Sequence, residues 1–401
     1  MTGRILNTPF SGNCPACDDR SLTLFFGEDS VPQNSCLLMD DPDSAANFPR
    51  GKLELGFCDS CGFVSNTAFK PGSAEYSQRY EETQGFSPKF MAFAKELAEQ
   101  WVRDYELKDK TVLEIGCGKG EFLLEMVKAG TGKCIGIDPG VHPERIDDPA
   151  AAQVEWIADF YDERYSHIDA DVVICRHTLE HIPDVAKFMT GIRNAIGDRT
   201  DTVVLFELPA IERVLEEIAF WDIYYEHCTY FSLGSLARLF RKTGFEVVEL
   251  SKEYDDQYLL IAAKPSTIPA QGKPLPEEDD MDFLRRGVEN YKSGYAALQK
   301  KWQDKISKLK DSGSKVVIWG SGSKGVSFIS NLNLGDELVA AVDINPHKWG
   351  KYMVGSNHKI ISPEELSELN PDLVVAMNPI YLDEIGKELQ RLGINAELTA
   401  V

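Results

Sequence analysis

One segment restricts the possible folds more than any other: residues 110–120, KTVLEIGCGKG, followed at once by EFLLEMVKAG. A short apolar run stops at Gly116, Gly118 and Gly120, and a helical pattern begins. Glycines at such a turn let the backbone approach a ligand and point the first helical amides toward it. The runs KCIGID, DVVICR and TVVLFE have the near-continuous apolar character of buried parallel strands, and helical patterns separate them. Strand and helix signals in alternation predict an α/β fold with a doubly wound sheet.

The rest of the chain divides by composition into flanking regions. Residues 1–75 read as a loop-rich module with two close cysteine pairs, and residues 76–263 as the doubly wound domain. Residues 264–312 read as a Pro- and acid-rich linker (264–280) followed by a long helix. In that helix Leu284, Val288, Tyr291, Tyr295, Leu298, Trp302, Ile306 and Leu309 fall on one stripe. The stripe fits a coiled-coil seam or a helix laid across two domains. Residues 313–401 restart the β/α alternation with KVVIW, ELVAAVD, HKIIS and DLVVAMN as strands, predicting a second, smaller Rossmann-like domain.

A glycine turn alone suits several nucleotides. Here Glu114 precedes it, and the next strand ends on Asp138, where a carboxylate can accept ribose hydroxyls. Asp159 and Phe160 follow the third strand, and Arg176 and His177 lie in DVVICRHTLEHIPD at the end of the fourth. Taken in order, EIGCGKGEFL, the strand-ending acid, the acid–aromatic pair and the fourth-strand segment resemble the class I methyltransferases. The resemblance implies S-adenosylmethionine as co-substrate. It places Glu114, Gly116, Gly118, Gly120, Asp138, Asp159, Phe160, Arg176 and His177 around it.

Cys14-Pro-Ala-Cys17 and Cys58-Asp-Ser-Cys61 are two C-x-x-C knuckles, whose four thiolates can close a tetrahedral structural zinc site. The module is expected to have too little apolar core to fold without the metal. The stretch WDIYYEHCTYFS, residues 221–232, sets Tyr224, Glu226 and His227 among aromatics, a base and a carboxylate beside phenols.

Taken together, the cysteine module, the donor domain with its Tyr-x-Glu-His segment and the C-terminal glycine turn resemble the sugar C-methyltransferases. That resemblance implies methylation at carbon of a nucleotide-linked 4-keto-6-deoxy sugar. His227 or Glu226 would remove the proton, Tyr224 and His181 would line the sugar, and either Tyr76 or Tyr80 would supply an active-site phenol. The chain departs from the family pattern at Glu81 and Glu82, and at Met377-Asn378-Pro379, both expected to face the acceptor. The turn Gly320-Ser321-Gly322-Ser323-Lys324-Gly325, with Asp343 ending the next strand, suits NAD or the diphosphate of a nucleotide sugar. Lys324, Lys348 and Lys351 are candidate cations for the diphosphate. Alternatives with the same donor site are an O- or N-methyltransferase and a non-catalytic binding protein.

A formal net charge of −22 weighs against nucleic acid and anionic membranes as partners. No apolar stretch reaches the ~20 residues of a membrane span. The start of the chain lacks a signal-peptide pattern, so a cytoplasmic monomer or homodimer is expected. Nine dilute cysteines argue against a disulfide framework.

Overall fold

The structure is a computed structural model that describes residues 3–266 and 273–401; residues 267–272 of the expected linker lie outside the described residues. The central sheet has seven strands. From edge to edge they are Val154–Ile157, Cys134–Ile137, Val112–Ile115, Val172–Arg176, Val203–Pro209, Tyr258–Pro265 and Phe245–Glu253. Tyr258–Pro265 alone runs antiparallel to its neighbours. Because side chains alternate across a strand, each strand feeds two cores. Leu113, Ile135, Val173 and Phe206 meet the helices Val185–Ile196 and Leu233–Lys242, while Val112, Cys134, Ile174 and Leu205 meet Pro88–Asp104 and Glu121–Lys128. The chain order reverses beside Val112–Ile115, and a ligand crevice belongs at the carboxyl ends of strands at such a point.

A second sheet is wholly parallel: Ile360–Ile361, Ala340–Val342, Val316–Trp319, Leu373–Ala376 and Glu397–Ala400. Its last strand, ELTA, escaped the sequence reading because it is short and half polar.

The N-terminal region differs from the loop-rich module expected. Arg4–Pro9, Leu22–Pro32, Arg50–Cys58 and Val64–Asn66 form an antiparallel sheet, completed by Thr229–Tyr230 from far along the chain. Bulges interrupt the long strand pair and obscure its alternation in the sequence. Nor does this sheet lack an apolar core; it shares one. Phe25 and Phe26 set their rings edge-on against Tyr291 of the helix Met281–Asp311, at centroid distances of 6.0 and 5.3 Å.

That helix carries the expected stripe, used inside the chain rather than as a seam to a second copy. Leu284, Tyr291, Tyr295 and Ile306 are buried against the N-terminal sheet, the helix Ile211–Glu217 and the C-terminal sheet. Gly287 and Gly294, poor helix formers, sit where the helix needs close approach. A Cβ on Gly287 would lie 3.0 Å from Leu215, and one on Gly294 would collide with Ile218. Among the described residues no helix is long and apolar enough to cross a membrane.

The Tyr291 ring is fully buried, yet its hydroxyl has no hydrogen-bond partner. Removing an unsatisfied buried hydroxyl is close to neutral or stabilising, whereas deleting the ring opens a cavity. Denaturant unfolding is therefore expected to show Tyr291→Phe at least as stable as the parent and Tyr291→Ala weaker by about 3–5 kcal/mol.

Candidate active site

A cavity of about 720 Å³ lies at the carboxyl ends of the central strands and extends to the C-terminal sheet. At one end is the glycine turn. Gly116, Gly118 and Gly120 have φ of +71°, +55° and +89°, and a Cβ on Gly116 would collide with Thr178. Asp138 closes this end: its carboxylate accepts the N–H groups of Gly118 at 3.0 Å and Gly140 at 2.6 Å. Burial raises the Asp138 carboxyl above its usual range, against the pull of those two amides. Glu114 stands behind the turn with Oε2 unpartnered, and burial pushes it to about 8. Asp159 and Phe160 also line the cavity. Asp159 accepts from Arg164 and from the Tyr165 hydroxyl, each at 2.7 Å, while the Phe160 ring is largely exposed.

Arg176 and His177 touch the cavity wall, but their polar atoms are engaged beneath it. Arg176 donates two hydrogen bonds to Glu207 at 2.9 and 3.0 Å and stacks 3.9 Å above the Phe122 ring. His177 Nε2 lies 2.8 Å from the same carboxylate. Burial alone would raise Glu207, but Arg176 and His177 outweigh it and bring the carboxyl to about 2. His177 is held at about 9, burial being overcome by Glu180 and Glu207.

Midway along the cavity, Tyr76 and Tyr80 become distinguishable. The Tyr76 hydroxyl is 2.8 Å from His181 Nδ1, whereas Tyr80 presents its ring, packed edge-on against Tyr76. His181 Nδ1 also lies 3.1 Å from the Glu226 carbonyl. The imidazoles of His181 and His227 meet edge to face, centroids 4.8 Å apart, and His227 Nε2 is 3.1 Å from the Tyr224 hydroxyl. Burial, helped by His181, His177 and Lys324, holds His227 well below the ordinary histidine range.

Glu226 does not orient His227. Adjacent residues in this turn send their side chains apart, and the Glu226 carboxylate accepts from Asn34 Nδ2 at 3.0 Å and from the Ser35 hydroxyl. The carboxylate near the two imidazoles is Glu180, which brings an oxygen within 4.8 Å of a nitrogen on each. Both Glu180 oxygens are buried with no hydrogen-bond partner among the described residues, Oε1 standing 3.7 Å from His177 Nδ1. The acid beside His181 in the sequence was the available signal, and it was passed over.

At the far end, the turn before the helix Ser323–Leu332 faces the cavity through Gly322 and Ser323. Asp343 is already engaged, accepting from the Ser321 amide and hydroxyl and pairing with Lys348 at 3.2 Å. Lys324 pairs with Asp222 at the cavity wall; Lys351 pairs with Asp40 and is not part of that wall. The departures also resolve. Asn378 exchanges hydrogen bonds with Gln257 at the cavity wall. Glu81 accepts from Arg145 and Asn345, and Glu82 turns to the glycine turn at Gly118 rather than to the far end of the cavity.

Apart from the cavity, Cys14, Cys17, Cys58 and Cys61 bring their sulfurs within 4.8 Å of one another. The pairs Cys14–Cys61 and Cys17–Cys58 are 3.7 and 3.6 Å apart. Arg238 and Lys242, on one helix of the central domain, donate to the carbonyls of Cys61 and Ala16 in the knuckles.

Comparison with known proteins agrees with this layout. Residues 88–250 match a methyltransferase domain, and residues 266–396 match a C-methyltransferase C-terminal domain. The chain is a class I S-adenosylmethionine-dependent methyltransferase. More particularly, it is similar along nearly its whole length to the C-methyltransferase NovU of Streptomyces niveus: the two are 25% identical over 390 residues, spanning 93% of this chain and 90% of that one. A tRNA U34 carboxymethyltransferase of Helicobacter pylori is 28% identical over 114 residues, 24% of this chain and 41% of its own. Among solved structures, the magnesium protoporphyrin IX methyltransferase of Synechocystis PCC 6803 aligns at 16% identity and a TM-score of 0.34, covering 44% of this chain and 84% of its own.

Glu207 is the negative centre for Arg176 and His177, and its side chain is wholly buried. Breaking such a group by removing one partner leaves charge unpaired. Glu207→Ala is expected to cost about 3–5 kcal/mol in denaturant unfolding.

Proposed function

We propose that the enzyme methylates a carbon next to a ketone in a nucleotide-linked keto-deoxy sugar. The observation that carries this reading is the single cavity, which joins the donor turn, the Tyr76–His181–His227–Tyr224 cluster and the C-terminal glycine turn. S-adenosylmethionine occupies the first, with Asp138 toward its ribose and Asp159 and Phe160 toward its adenine. The nucleotide of the acceptor lies toward the third. There the open face of Gly322 and the N-terminus of a helix suit a diphosphate, and the prior engagement of Asp343 disfavours the ribose contact of a dinucleotide. Work divides among the sheets accordingly: the N-terminal region supports, the central domain holds the donor, and the C-terminal domain holds the acceptor's nucleotide.

His227 is the base. Its buried imidazole is neutral at physiological pH; with Nε2–H donating to the Tyr224 hydroxyl, the other ring nitrogen is left to take the proton α to the ketone. In this reading the Tyr224 and Tyr76 hydroxyls and His181 stabilise the oxygen that gains charge in the enolate. The enolate carbon then forms a bond to the donor methyl as the sulfur–methyl bond breaks, leaving a thioether. His227→Asn is expected to lower kcat by about a hundred- to ten-thousand-fold and to abolish exchange of the α proton with deuterated buffer, leaving donor binding intact. Because burial depresses His227, the acid limb of kcat/KM in the wild type should fall below the pH at which a free histidine titrates. A variant with near-normal turnover, or a product methylated on oxygen, would reject this mechanism.

The four cysteines hold a structural zinc ion in this reading. A tetrahedron with ~2.3 Å metal–sulfur bonds has edges of ~3.8 Å, which the two sulfur pairs approach. Protein purified without added metal is expected to contain about one equivalent of zinc by elemental analysis. Folded protein with none would exclude the site.

A further inference from the structure

Residues 76–87 cross the donor end of the cavity and are fastened there. Lys119 Nζ donates to the carbonyls of Tyr80 at 2.7 Å and Gly140 at 2.8 Å, and the Thr83 hydroxyl donates to Glu121. Gln78 Nε2 donates to the Val141 carbonyl at 3.2 Å. So held, Glu82 lies against the glycine turn. Its Oε1 is 3.1 Å from the position a Cβ on Gly118 would take, and its Oε2 is 3.7 Å from Lys119 Nζ. Oε2 is closed off from solvent and accepts no hydrogen bond from the described residues, so Oε1 is the oxygen that Glu82 presents at the cavity wall.

Asp138 is already engaged by backbone amides on both of its oxygens. One of its oxygens takes the Gly118 amide and the other the Gly140 amide, leaving reduced capacity on each. A vicinal diol presents two donors. The Glu82 carboxyl, on the cavity wall beside the same turn, adds a further acceptor within reach of that diol.

We infer that Glu82 is a second carboxyl of the donor site, taking one ribose hydroxyl of S-adenosylmethionine while Asp138 takes the other. The inference rests on the donor end assigned above. The chemistry of the group suits a hydroxyl. Burial, opposed by Lys119, pushes Glu82 to about 8, so in the empty site at neutral pH it carries a proton and can both donate and accept. The role is specific to the nucleoside, which the methyl donor and its demethylated product share.

The test is calorimetry with S-adenosylmethionine, S-adenosylhomocysteine and the 2′- and 3′-deoxy forms of the latter, on wild type, Glu82→Ala, Glu82→Gln and Asp138→Ala. Glu82→Ala should weaken methyl donor and product alike by about tenfold, the scale of one hydrogen bond. Glu82→Gln, which also donates and accepts, should stay near wild type and confirm that the site folds. One deoxy analogue should bind wild type less well yet lose nothing further on Glu82→Ala. If Glu82→Ala binds both ligands normally while Asp138→Ala does not, the role of Glu82 is refuted and the donor end stands. A loss confined to S-adenosylmethionine also refutes it, since the carboxyl would then answer the sulfonium. If neither variant binds more weakly, the assignment of the donor end itself fails.

Discussion

The buried stripe of the helix Met281–Asp311 is the packing on which the arrangement depends. One face of a single helix covers Phe25 and Phe26 of the N-terminal sheet, Leu215 and Ile218 beside the central sheet, and Phe328 of the C-terminal unit through Trp302. Helix burial of this kind is driven by apolar area and is not directional, so precision comes from shape. The two glycines are where shape prevails over helix propensity. The cavity opens between elements that this helix holds in place, although the helix contributes no residue to its wall.

A second tie is much smaller and bears more directly on the chemistry. Thr229–Tyr230 pairs with Val64 and Ser65, at the edge of the N-terminal sheet and a few residues past the second cysteine knuckle. The Tyr224–His227 turn therefore hangs from two anchors, the helix Ile211–Glu217 before it and a borrowed strand after it. Glu226 adds a third by bonding Asn34 and Ser35. A residue whose type suggested acid–base work thus serves as a fastening.

Much of the geometry of the proposed donor end was legible, because its constraints are local. Glycines with positive φ, an acid at a strand end and continuous apolar strands each leave a mark within a few residues, and the structure gathers Gly116, Gly118 and Asp138 at one end of the cavity. The long helix was equally plain from its period. What stayed hidden depends on distant partners. The N-terminal strands read as loops because their bulges break the alternation and their core lies on a helix some 250 residues away in the chain. The orientation of Glu226 and the neighbourhood of Glu180 follow from which loops meet. Tyr76 and Tyr80, four residues apart, differ only in which one reaches His181.

The long-range cover over Phe25 and Phe26 has a consequence for the order in which the chain takes shape during synthesis. Chains emerge from the ribosome N-terminus first and fold by units as they do. Here the sheet that precedes the central one carries an aromatic face whose cover, Tyr291 and Tyr295, is made after the whole central sheet. The nascent chain must therefore carry that face uncovered while the central sheet is already complete. Its vulnerability to aggregation is a property of the half-made chain, and the finished enzyme gives no sign of it.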